Sequence, residues 1–326
     1  MTETTGLLLY YAQMLLFAAI TLMALAAAGS PWLAVLCERR AVATRKVFFD
    51  KFAMQIASMG VVLGAFSLLL GLLAGVLLLR TLESVLPLEL PFPVVLQQRT
   101  NLPTLIVAAL PLLSVILLAA YRKIWPGLKG RKTPHSMLGL TAALLALLAL
   151  AGFLLFKRFL LTKAGIEPVE MSVSLFLDTA LGLALPSIFW PLLVLGSALM
   201  LATAATLGLL YLLLRRNAED FGRDYYAFAA GLSARWGCYA GLAVAVAYGW
   251  LAAVRAPRLG FLSLGNPNYF HLAAAIILQL LASYSCVQVF RSQTPLREKP
   301  AMILGALFLM LSLVAGGVLL DRIIFL

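Results

Sequence analysis

AMQIASMGVVLGAFSLLLGLLAGVLLL, residues 53–79, carries no charged side chain from end to end. About 20 predominantly apolar residues are enough for a helix to cross the hydrocarbon core of a bilayer, and this run exceeds that length. Seven further runs meet the same criterion, at roughly 6–29, 102–121, 136–156, 184–214, 236–254, 269–290 and 300–320. The connections between them are short, so no soluble domain is inserted. Composition agrees: 63% of the chain is apolar and 12% charged, with a mean hydropathy of +1.00, against about 45–50% and about 25% in soluble domains. The fold class is therefore all-α, a polytopic membrane helical bundle of about eight transmembrane helices.

The net charge of +12 would suit a nucleic-acid binder, but no basic domain exists to carry that function. The positives instead alternate from loop to loop. The connections 30–52, 122–135, 215–235 and 291–299 hold 17 of the 25 Lys and Arg residues, and the alternate set with the two ends holds 8. Lys and Arg concentrate on the cytoplasmic side of membrane proteins. The expectation is a multi-pass protein of a bacterial-type inner (plasma) membrane, with its N-terminus and C-terminus outside. MTETTG has no basic leader region, so the first helix is expected to remain as the first span. The stretch 171–214 could hold two spans, but two would place the basic loops 215–235 and 291–299 outside. One span from about 184 is preferred, with MSVSLFLDTALGL (171–183) as an apolar segment at the outer interface and Asp178 turned to water or a partner.

Small residues mark two helices: Gly60, Gly64, Ser67, Gly71 and Gly75 in the second, Gly237, Gly241, Ala245 and Gly249 in the sixth. Such stripes let backbones approach where lipid offers no hydrophobic drive. The alternative is room for a flat cofactor. Pro111 and Pro191 are expected to kink their helices.

An ionisable side chain inside a span marks function by default, and the central turns of all eight spans have no Asp, Glu, Lys, Arg or His. That absence argues against an ion-coupled transporter or a proton pump. The most polar midplane side chain is Gln279, on a broad stripe with His271, Ser283 and Cys286. It reads as an interhelical hydrogen bond or as a head contact for a quinone. His271, in NPNYFH, reads as an interfacial residue or as a proton acceptor for quinol oxidation, since its ordinary pKa lies near neutrality. His135 is expected at the inner end of the fourth span, about 30 Å from His271, so the two cannot ligate one haem. A His–Met pair stays open among ten methionines. Cys37, Cys238 and Cys286 fall near the inner face, where thiols stay reduced, and three cannot hold an iron–sulfur cluster. No catalytic triad, metal-ligand cluster or phosphate loop is present.

SPWLAVLCERRAVATRKVFFDKFAMQIASMGVVLGAFSLLLG (30–71) and YRKIWPGLKGRKTPHSMLG (121–139) together resemble subunit I of cytochrome bd quinol oxidases. In that family an outside-in first helix leads to a short inner loop with an acidic residue and basic partners, then to a second helix with a glycine-marked face. The resemblance covers residues 1–156. It departs where the family keeps its haem ligands, because neither the first nor the fifth helix here has a histidine. The long outer loop after helix 6, with its quinol-site signature, is reduced here to RAPRLGFLSLGNPN (255–268), and the third helix lacks the family's proton-path carboxylates. The resemblance thus implies a quinone-associated bundle without haem.

The expected organisation is a four-helix half at 1–156, an outer connection at 157–183 and a second four-helix half at 184–326. The expected function is a haem-free integral membrane subunit of a respiratory or electron-transfer complex, at most non-catalytic or quinone-binding. The alternative is a transporter or permease for a small neutral or lipophilic substrate. Other membrane and redox subunits and lipids are the expected partners, and nucleic acid is not one. His271, Gln279 and Asp178 form the candidate quinone site, with no metal and no covalently bound cofactor.

Overall fold

A computed structural model describes residues 3–85, 102–125, 132–163, 187–219, 221–259 and 267–325. Among the described residues eight helices are long and apolar enough to cross a membrane. They are α1 (Glu3–Thr44), α2 (Val47–Val85), α3 (Leu102–Ile124), α4 (Lys132–Lys163), α5 (Phe189–Arg215), α6 (Arg223–Leu259), α7 (Pro267–Arg291) and α8 (Lys299–Phe325). Helices α1–α4 pack among themselves, as do α5–α8, and α1 joins the two groups by lying against α5 and α8.

α1 performs that joining with two different stretches. Ala18 and Leu22 sit in a core shared with α5–α8, while Leu33, Ala34 and Cys37 sit in a core shared with α2–α6. The two helices meet closely at Gly29, where an added Cβ would strike the Met200 backbone carbonyl of α5. Serine hydroxyls bond across other helix pairs. Ser114 donates to the Ala142 carbonyl at 2.8 Å, Ser233 to Ala205 at 2.8 Å and Ser312 to Ala275 at 2.8 Å. Small residues and hydroxyls are what bind helices together in lipid.

Three sequence expectations change. The stretch 30–52 is not a loop: α1 runs through Pro31 to Thr44, and only Arg45 and Lys46 connect it to α2. The buried face simply continues through Leu33, Ala34, Cys37, Glu38 and Ala41, which is helical spacing. The helix ends at Arg45, whose φ of 55° is the left-handed conformation that stops a helix. Likewise α6 begins at Arg223, inside the expected 215–235 loop. Pro191 does not interrupt α5, because it falls in the first turn of that helix, where backbone N–H groups have no intrahelical acceptor. Pro111 does lie inside α3. The segment 171–183 lies outside the described residues.

The glycine stripes divide. Cβ atoms at Gly60 and Gly64 would press on Ser30 and Val115, but at Gly71 and Gly75 they would meet nothing. In α6, Gly237 and Gly241 are filled by Cys286, Ser283 and Gln279, while Gly249 is open. Packing therefore accounts for the halves of both stripes nearest the α1–α2 and α5–α6 connections.

Candidate functional site

The end of the bundle where α1 meets α2 and α5 meets α6 collects most of the polar chemistry. Glu38 of α1 is 0% exposed. A carboxylate taken out of water costs several kcal/mol unless it is paired and hydrogen-bonded. Two other helices supply its partners. His135, in the first turn of α4, places Nδ1 2.7 Å from Glu38 Oε1, and Tyr121, near the end of α3, donates its hydroxyl to Glu38 Oε2 at 2.9 Å. The imidazole Nε2 lies 2.9 Å from the Tyr121 backbone carbonyl. The Tyr121 and His135 rings stack at 4.1 Å, and Trp125 closes the cluster edge-on at 4.7 Å from His135.

The bonding constrains the protons. A backbone carbonyl only accepts, so Nε2 carries a hydrogen. The 2.7 Å contact at Nδ1 then needs one more, on His135 or on Glu38. An imidazolium facing a carboxylate and an imidazole facing a carboxylic acid have the same net charge of zero. Removing the shared proton would leave a lone pair facing a carboxylate oxygen. The cluster is a buried, hydrogen-bonded tie between α1, α3 and α4.

A second cluster sits beside it. Gln55 of α2, 2% exposed, donates from Nε2 to Glu219 Oε2 at 2.6 Å and accepts the Tyr225 hydroxyl on Oε1 at 2.6 Å. Tyr226 donates to the Glu219 backbone carbonyl at 2.9 Å, and Arg215 lies 3.6 Å from the Glu219 carboxylate. Lys132 pairs with Asp50 at 3.0 Å, tying α4 to α2. Thus three carboxylates at this end, Glu38, Asp50 and Glu219, are engaged by the chain's own side chains.

Several arginines are not so engaged. A cleft of about 540 Å³ is lined by Arg216, Asn217, Gly222, Arg223, Tyr226, Leu296 and Arg297. Among the described residues none of its three arginines is paired with a carboxylate. What this arrangement offers is a positive, hydrogen-bonding recess beside a rigid, internally satisfied frame.

Comparison with protein-family models, curated proteins and solved structures finds no match. The site therefore has to be argued from its own geometry.

The described residues of the candidate quinone site, His271 and Gln279, lie elsewhere. His271 is half-buried in the first turns of α7. Gln279 lies two turns further along the same helix, about 12 Å by the helical rise. It is 1% exposed and packs at Gly241 of α6, with Oε1 lacking a hydrogen-bond partner. Asp178 lies outside the described residues. No group of three or more His, Cys, Asp or Glu side chains able to hold a metal occurs among the described residues. Cys37, Cys238 and Cys286 are free and buried.

The sequence reading missed the Glu38–His135–Tyr121 cluster. Its trace was present: Glu38 falls on the buried face of α1 between Ala34 and Ala41. A carboxylate in the hidden register of a helix asks for a partner. Nothing in one sequence says that the partner is 97 residues away.

Proposed function

We propose that this chain is the haem-free, non-catalytic membrane subunit of a respiratory or electron-transfer complex, and that its basic end receives an acidic face of a redox partner. The arginine-lined cleft carries the reading. Arg216, Arg223 and Arg297 are not paired with a carboxylate among the described residues, while Glu219, Glu38 and Asp50 are already engaged by the chain's own side chains. Opposite potentials steer encounter and fix register between partners. The central turns of the spans hold no Asp, Glu, Lys, Arg or His, which suits an anchor better than a pump or an ion-coupled carrier. The resemblance of residues 1–156 to cytochrome bd subunit I turns the anchoring role towards electron transfer. By the positive-inside rule this end faces the cytoplasm of a bacterial-type inner membrane, with both termini outside. His271, at the opposite end of α7, is the candidate outer-face contact for a quinone in the assembled complex, with Gln279 and Asp178 as its expected neighbours.

The test is retention of partners on solubilising native membranes. Replacing Arg216, Arg223 and Arg297 together by Gln is expected to release redox subunits that stay with the unaltered chain, and to do so increasingly with salt. Unaltered retention overturns docking at the cleft. Flux of a small solute through liposomes holding this chain alone would replace the reading with a permease.

A further inference from the structure

A second recess at the basic end has a different character. It is a cleft of about 610 Å³ between the α1–α2 turn, α6 and the end of α7, and its walls include Arg40, Arg235, Phe49, Phe228, Trp236 and Tyr239. Arg40 and Arg235 are exposed and neither is paired with a carboxylate among the described residues. The Arg40 guanidinium rests over the Phe49 ring at 5.2 Å, which holds it in place while leaving its edge free for an acceptor. Gly231 also borders the cleft, and a Cβ added there would meet nothing within 4 Å.

One exit from this recess is apolar. Tyr239, Leu242, Val246 and Trp250 are 64%, 45%, 73% and 42% exposed, and their spacing puts them on one stripe of α6. Arg235, one turn before Tyr239, is on the same stripe. From Tyr239 to Trp250 the stripe runs about 16 Å, close to one leaflet, which is half of a hydrocarbon core of about 30 Å. Two cations sit at the head of an apolar track, with a Trp and a Tyr at the junction, where such rings mark the membrane interface.

We infer that this cleft is a binding site for an anionic phospholipid, its phosphate held between Arg40 and Arg235 and an acyl chain laid along the Tyr239–Trp250 stripe. A soluble acidic segment would use the arginines but not the stripe. Free phosphate would use neither the stripe nor the aromatic walls. The inference does not rest on the electron-transfer reading, because it uses a separate cleft and separate arginines.

The test is native mass spectrometry of the full chain in a neutral detergent, titrated with phosphatidylglycerol or phosphatidylcholine. Phosphatidylglycerol should be retained about tenfold better, and Arg40→Gln with Arg235→Gln should remove most of that advantage, since each basic residue at a lipid surface contributes about a factor of five. Gly231→Leu should lower retention by filling the recess without changing charge. Arg216→Gln with Arg297→Gln removes the same charge elsewhere and should leave retention as it was. Equal retention of both lipids, equal loss in the two double variants, unchanged retention in Gly231→Leu, or displacement of the lipid by inorganic phosphate would overturn the site. Each variant is first shown by thermal unfolding to keep the midpoint of the unaltered protein.

Discussion

Glu38 and Gln279 are buried to nearly the same degree, 0% and 1% exposed, yet their surroundings differ. Glu38 lies where α1 has passed beyond its apolar stretch, level with the basic residues Arg122 and Lys123 that close α3, and partners from two other helices satisfy both of its oxygens. Gln279 lies in the apolar middle of α7, where a glycine of α6 makes room for its amide and one oxygen is left without a donor. A charge is admitted only where three helices can neutralise it. An amide is tolerated in the lipid-level core with one atom unsatisfied, because its cost is that of a lost hydrogen bond rather than of a stranded ion. Among the described residues the paired carboxylates gather at one end of the bundle, and the centre is left to shape.

Three substitutions sharpen this contrast. The largest effect is expected from Glu38→Ala, which leaves His135 Nδ1 and the Tyr121 hydroxyl without their buried partner. Breaking one side of a buried pair costs about 3–5 kcal/mol, so the thermal midpoint in detergent should fall steeply. Glu38→Leu combined with His135→Leu should recover a large part of that loss. If Glu38→Ala alone unfolds at the midpoint of the unaltered protein, the cluster is not a tie. Gly241→Ala is next, because its Cβ would intrude on Ser283 and Gln279. Overpacking of this kind costs about 1–3 kcal/mol, and a partner Ser283→Ala substitution should soften it. Thermal unfolding of the single and double variants reads that coupling directly. The smallest effect is expected for Gln279→Leu. The amide oxygen has nothing to lose, so stability should be unchanged or slightly raised, since removing an unsatisfied buried polar group is close to neutral or favourable. A marked loss of stability would show a hydrogen bond that this packing lacks. A loss of quinol-dependent turnover with stability intact, seen also in His271→Ala, would bring the α7 stripe into a quinone site.

How much of this could be read from the chain follows the same division. The eight spans were legible because hydropathy reports the lipid-level core directly. Charges misled at the ends: the Arg and Lys residues of 30–52 and 215–235 were read as loop, although α1 runs on to Thr44 and α6 begins at Arg223, because one face still has something to bury. In α1 that face holds Leu33, Ala34, Cys37 and Ala41. Pro191 was read as a kink because its place within the helix could not be known until Phe189 was seen to begin α5. Gln279 was visible as the lone midplane amide, and the choice between packing and ligand needed its neighbour Gly241. Of the pair Glu38 and His135, only the histidine was singled out, as a residue at a helix end; Glu38 was one of two acidic residues in 30–52 and was passed over. Their meeting depends on how α4 folds back onto α1, which no local pattern encodes.

The central claim is that the chain anchors a redox assembly through its basic end and carries no haem of its own. Purification of the full chain from native membranes in a mild detergent, with an optical spectrum and identification of what accompanies it, tests that claim most directly. The account predicts redox-active subunits that co-purify at low salt and separate at high salt, with no Soret band remaining on this chain once they are removed. A chain that purifies alone at every salt concentration, or one that keeps a stoichiometric b-type spectrum after its partners are stripped away, would contradict it.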